Sequence, residues 1–214
     1  MRTAVTEMLG IEFPILAFSH CRDVVAAVSK AGGFGVLGVT NHTPDTMATE
    51  LTWITEECKG APFGIDVLLP VKHAERSEAA TAPTDPVPAE HRAFVDDLLR
   101  RHGLEPLPPF TPTRTGGAFQ DLVDPEGMAK GLLEVAFDFP IKLVASALGP
   151  PSKDLMDGAR SNDVFVAALA GKAEHARRHV EVGVDIVVAQ GYEAGGHTGE
   201  ISTMVLVPEV VDAV

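Results

Sequence analysis

Asp185-Ile186-Val187-Val188-Ala189-Gln190-Gly191-Tyr192-Glu193-Ala194-Gly195-Gly196-His197-Thr198-Gly199 is the stretch whose reading decides the fold. Its apolar run, residues 186–189, predicts a strand buried on both faces, and that strand empties into a loop carrying four glycines, a Gln, a Glu and a His. Strand ends of this kind are where α/β enzymes keep their chemistry. Glycine permits φ > 0 and close backbone approach, so Gly195-Gly196 can turn amide N–H groups toward an anion or an aromatic ring. His197 beside that concavity can give or take a proton near neutral pH, and Gln190 at the strand end offers a paired donor and acceptor to a heterocycle. A Gly-Gly-His taken alone also reads as a turn with a solvated histidine. Spacing by itself supports a ligand loop.

The chain before this stretch repeats the same unit. An apolar run at 13–18 predicts a strand, Ser19-His20-Cys21-Arg22-Asp23 a loop, and 24–31 a helix. Gly33, Gly35 and Gly38 then form a G-x-G-x-x-G, the pattern of a dinucleotide fingerprint. Its context is inverted, because a fingerprint follows a strand and opens a helix, whereas here a helix ends at the glycines and a strand runs through them. Thr43-Pro44-Asp45 starts the next helix with a cap and Pro at its first position, and Met47, Leu51 and Ile54 carry it with helical spacing to Cys58. A third strand follows at 63–69. After an interruption come a helix at 125–137, strands at 141–145 and 164–168, helices at 153–159 and 172–182, and the strand quoted above. Ser146 at the end of the fourth strand reads as facing substrate or as a helix cap. About six strand–helix units in alternation predict an α/β fold with a parallel sheet or barrel.

The interruption, about 70–124, is polar and proline-rich at Ala82-Pro83-Thr84-Asp85-Pro86-Val87-Pro88 and again at Pro106-Leu107-Pro108-Pro109-Phe110, with one helix over 89–102 between. It reads as a lid-like insertion crossing the mouth of a single domain, 1–214, with His91 and His102 as surface residues.

Seventeen Lys and Arg against thirty Asp and Glu give a net charge of −13, which argues against a nucleic-acid or anionic-membrane partner. Cys21 and Cys58 lie far apart with no Cys-x-x-Cys, so neither a disulfide framework nor a zinc site has support, and no metal is expected. No stretch approaches ~20 apolar residues and the N-terminus lacks a signal-peptide pattern, so the chain reads as cytoplasmic.

Ala189 to Gly199, followed by Leu206-Val207-Pro208-Glu209-Val210-Val211-Asp212-Ala213-Val214, resembles the signature of the nitronate monooxygenase (2-nitropropane dioxygenase) family. The stretches 26–38 and 62–70 also fit, and the resemblance runs from Phe13 to the last residue. It implies an FMN-bound (β/α)8 barrel of the TIM type, similar to the flavin-type enoyl-ACP reductases. It further implies that electrons pass from a bound nitronate to the flavin and then to oxygen, giving a carbonyl compound and nitrite. Residue by residue, the resemblance makes His197 the catalytic histidine, as base or as partner of the nitro oxygens. It makes Gln190, Gly191, Gly195 and Gly196 flavin contacts, and Ala17, Phe18 and Ser19 a backbone cradle for the ring. Many members have Ala-Pro-Met at that cradle. Asp66 stands where members commonly carry an Asn that touches the flavin, and a carboxylate cannot donate as that amide does. Eight strands are expected of such a barrel, with flavin phosphate on the loops after the seventh and eighth, and the sequence to Val214 supplies about six. An incomplete barrel with open edges, prone to self-association, is therefore expected. Two further readings share these residues: a flavin enoyl-thioester reductase, and a truncated non-catalytic member.

Overall fold

The computed structural model describes residues 2–68, 88–106, 125–196 and 198–214, with 125–129 described by backbone alone. The chain divides into two compact units, one of residues 1–71 and 121–214 and one of 72–120. In the smaller unit the described structure includes helix α4 (Ala89–Arg101), amphipathic, with Arg100 and Arg101 in its last turn and His102 as its C-cap.

The larger unit opens with helix α1 (Ala4–Leu9), which the hydrophobic pattern does not announce because it is only six residues long. Local chemistry makes it: Thr3 and Thr6 exchange side-chain and backbone hydrogen bonds as a capping box, and Gly10 ends it with φ 70°. Then strand and helix alternate: β1 (Leu16–Ser19), α2 (Arg22–Lys30), β2 (Phe34–Gly38), α3 (Pro44–Cys58), β3 (Phe63–Val67), α5 (Pro125–Phe137), β4 (Leu143–Ser146), α6 (Lys153–Ser161), β5 (Phe165–Ala170), α7 (Ala173–Glu181), β6 (Ile186–Ala189), a 3₁₀ turn (Tyr192–Ala194) and α8 (Thr203–Ala213). The six strands form one parallel sheet in the order β1-β2-β3-β4-β5-β6. This is the incomplete TIM-type barrel expected. Among the described residues the outer edges of β1 and β6 have no strand partner.

Register separates the two faces, since side chains paired across neighbouring strands point the same way and alternate along each strand. Leu37, Ile65, Val67, Val144 and Val166 face the helices and share one core with Val25 of α2, Met47, Leu51 and Ile54 of α3, Leu132 and Leu133 of α5, and Leu155 of α6. Phe34, Val36, Leu143, Ala145 and Ala167 line the inner face. At the strands' N-terminal ends that face is closed by Leu9 and Ile11, so α1 acts as a plug and the C-terminal ends are left as the mouth.

Two sequence expectations need correction. Strand β6 is only half-buried, with Val188 37% exposed, because it is the edge of the described sheet and no described strand lies beyond it. Ser146 caps no helix: it is the last residue of β4, fully buried on the helix side beside Val67 and Ala168, and Ser152 caps α6 instead. The inverted G-x-G-x-x-G reading holds. Gly32 turns the chain after α2 with φ 88°, and a Cβ on Gly35 would lie 2.2 Å from the Val25 carbonyl oxygen, so this glycine lets α2 pack onto the sheet. No helix among the described residues is long and apolar enough to cross a membrane.

Candidate active site

Candidate side chains at the C-terminal ends of the strands fall into two groups. One gathers at β1–β3. Phe18 of β1 is paired with Val36 and Asp66 of β3 with Gly38 and Ala145, so Phe18 and Asp66 share the inner face. Gly38 makes this arrangement possible: a Cβ there would sit 2.6 Å from the Phe18 ring and 2.7 Å from the His20 ring. With no Cβ in the way, His20 lies across the strand, its Nδ1 3.0 Å from the Gly38 carbonyl oxygen and its ring edge-on to Phe18 at 5.1 Å. A carbonyl only accepts, so Nδ1 carries the proton. Burial pushes the Asp66 carboxyl up from 3.8 to about 6, with His20 opposing the shift. Ala17 and Ser19 alternate to the helix side, paired with Gly35 and Leu37, and contribute backbone alone to the inner face. The Ser19 hydroxyl accepts the Cys21 N–H.

The second group surrounds a cavity of about 310 Å³ at the ends of β4–β6, walled by Ala147, Leu169, His175, Arg178, His179 and Gln190 with the glycine-containing loops 149–150, 171 and 198–199. Gln190 arrives there because its N–H continues the ladder to the Ala170 carbonyl at 3.0 Å. His175 and His179 come from α7, one helical turn apart on one face. His179 is buried, with Nε2 3.0 Å from the Leu169 carbonyl, so Nε2 donates and Nδ1 has no hydrogen-bond partner among the described residues. Burial holds His175 below the ordinary histidine range, helped by the charges of Lys172, His179 and Arg178. Burial lowers His179 as well, against its bond to Leu169. Both imidazoles are therefore neutral at pH 7, and His175 is able to accept a proton.

The glycine loop is held from both sides. Gly191 is packed tightly, a Cβ there lying 2.3 Å from Thr203 N and Oγ1. Glu193 accepts from the Thr203 N–H at 2.9 Å and hydroxyl at 3.0 Å, a bond that starts α8 and holds its carboxyl below the usual range. The Tyr192 N–H reaches the Ile201 carbonyl at 3.0 Å. Between these anchors Gly195 and Gly196 take φ 78° and 69°, and among the described residues, chain neighbours aside, no heavy atom lies within 4 Å of where a Cβ would be. Their backbone is accordingly open on that side to a ligand.

Of the residues singled out from sequence, Gln190 enters the cavity wall, Gly191, Gly195 and Gly196 build the loop beside it, and Phe18 and Asp66 stand together at β1–β3. His197 lies outside the described residues. Sequence reading passed over His20, His175 and His179. The last two had a readable signal, histidines four apart on one predicted helix. Among the described residues no group of three His, Cys, Asp or Glu could hold a metal ion.

Comparison with known proteins places this geometry. The family described as nitronate monooxygenase matches residues 2–214. A Mycobacterium tuberculosis protein, named only provisionally as a monooxygenase, is 56% identical across all of this chain, which covers 57% of that protein. A Staphylococcus saprophyticus protein, provisionally named a nitronate monooxygenase, is 28% identical across all of the chain and 59% of its own length. The solved structure of a nitroalkane oxidase from Streptomyces ansochromogenes superposes with a TM-score of 0.69 over 99% of this chain and 58% of that one, at 24% identity. The chain thus spans somewhat over half the length of each of these three proteins.

Proposed function

Because the chain belongs to the nitronate monooxygenase family of oxidoreductases, we propose that the full-length protein binds FMN at this mouth and oxidises nitronates or nitroalkanes to carbonyl compounds and nitrite with oxygen. The observation that carries the reading is the cavity in which His175, kept neutral by burial and neighbouring cations, shares a wall with Gln190 beside the open glycine backbone. Three features fit a flavin. The Gly196 backbone, open where a Cβ would stand, suits a polar edge or a phosphate, Gln190 offers the paired donor and acceptor a heterocycle needs, and Ala145 keeps the inner face low beside Asp66.

FMN would supply the electron acceptor. The chain's own residues would do the rest. His175, neutral and half-buried, takes the α-proton of a nitroalkane or holds the nitro oxygens of a nitronate, while Arg178 on the same wall favours the anion so formed. His197 on the glycine loop stays a second candidate for the same role. Leu169 and the Ala147–Pro150 segment complete the cavity wall. The test is nitrite release and oxygen uptake by the full-length protein given an alkyl nitronate. Nitrite in step with oxygen consumption supports the reading, and flavin-loaded protein that releases no nitrite refutes it.

A further inference from the structure

The group at β1–β3 is separate from the cavity at β4–β6. Asp66 is a half-buried carboxyl on the inner face with no side-chain hydrogen bond among the described residues. Its strand neighbours on that face, Gly38 and Ala145, bring no polar side chain, and from the elements around it the one titratable group acting on it is His20. Gly38 lets His20 and Phe18 lie over β2, and the bond from Nδ1 to the Gly38 carbonyl fixes the histidine ring while leaving Nε2 uncommitted. The site therefore offers a flat aromatic edge, a fixed imidazole and an unsatisfied carboxyl, side by side and facing the mouth.

We propose that Asp66 enters the ligand complex as a neutral acid: covering it with a heterocycle that presents a hydrogen-bond acceptor makes it take up a proton and donate it, so that binding is proton-linked. The inference rests on the flavin reading above and deepens it. A carboxylate beneath an acceptor edge would face lone pairs with lone pairs and lose its water, whereas the protonated acid supplies the donor that an amide would. No bond to carbon forms or breaks. One proton passes from solvent to an Asp66 oxygen on binding and returns on release. The free carboxyl is already weakened by burial, which makes the uptake easy near neutral pH.

The probe is FMN, bound to full-length protein stripped of cofactor and followed by calorimetry at pH 7.5 in two buffers of different ionisation enthalpy. Native protein should take up close to one proton per FMN more than Asp66→Asn does. Its dissociation constant should also rise, approaching tenfold per pH unit above pH 6.5, while Asp66→Asn stays flatter by that amount. His20→Gln, which leaves Asp66 and its fold in place, removes the charge that opposes burial and should move the onset of weakening to higher pH. Equal proton uptake and equal pH slopes in native protein and Asp66→Asn overturn the proposal. An unmoved onset in His20→Gln overturns the part given to the histidine. Should FMN fail to bind native protein at any pH, the flavin reading falls, and the proposal resting on it falls with it; FMN binding without proton uptake sinks the proposal alone.

Discussion

Asp66→Asn should raise the stability of the fold at pH 8 and leave it nearly unchanged at pH 4. In the folded protein burial raises the carboxyl from 3.8 to about 6, so folding favours its neutral form. The stability tied to that proton is complete below the unfolded value near 4, falls as pH climbs, and is gone above about 6. From there on the ionised carboxylate is a constant penalty. Two units at about 1.4 kcal/mol each give a penalty of about 3 kcal/mol, and partial access to water brings it to about 2 kcal/mol. Asn keeps the shape and cannot ionise, though its amide loses some hydration of its own. The variant should gain about 1–2 kcal/mol at pH 8 relative to its effect at pH 4. Urea unfolding of both proteins at the two pH values measures this, provided the slope with urea is unchanged. An equal effect at both pH values, or a loss at pH 8, would show that Asp66 is ionised and satisfied in the folded state.

His175→Asn should cut the rate on a neutral nitroalkane by roughly 10²–10⁴ and the rate on the preformed nitronate far less, since only the first needs a proton removed; equal losses would assign the residue to positioning. Gly35→Ala forces a methyl to within 2.2 Å of the Val25 carbonyl and should destabilise the fold by about 3 kcal/mol, read from denaturant midpoints, and a near-native midpoint would mean that α2 can shift freely. Glu193→Ala should speed hydrogen exchange at the Thr203 amide more than Glu193→Gln does, because Ala loses the acceptor and Gln only its charge. Unchanged exchange in both would show that Tyr192 and Ile201 hold the loop without it.

The parts of this fold legible from sequence are those where one local rule acts alone. Thr43-Pro44 gave the start of α3 to the residue, because a capping threonine and a proline at the first turn leave few alternatives. The glycines at 32–38 were readable as a helix end and a strand because their order relative to the helix is inverted. Helix α1 escaped because six residues carry too little periodicity, and its identity comes from two threonines and its seat on Phe34 and Leu143. The burial expected for β6 failed because an apolar run reports what a strand is able to bury, while its actual burial depends on the neighbour it has. At the site, the glycine loop and Gln190 were legible through chemistry packed into one stretch. His175 and His179 were not, because on a helix rich in Arg and Glu they look like surface residues until β5 supplies the Leu169 carbonyl and the cavity beside it. The link from His20 to Asp66 spans three elements and depends on a missing Cβ at Gly38, which no single stretch displays.

If the full-length protein is a flavoprotein whose reductant is the nitronate itself, anaerobic spectrophotometry will show the transfer in the flavin spectrum. The protein should purify with FMN, and its visible absorbance should bleach within seconds on adding an alkyl nitronate and stay unchanged with NADH or NADPH. Rapid bleaching by NADPH with no response to the nitronate would contradict it and make the site that of an enoyl-thioester reductase, and a colourless protein that takes up no FMN would contradict it at the root.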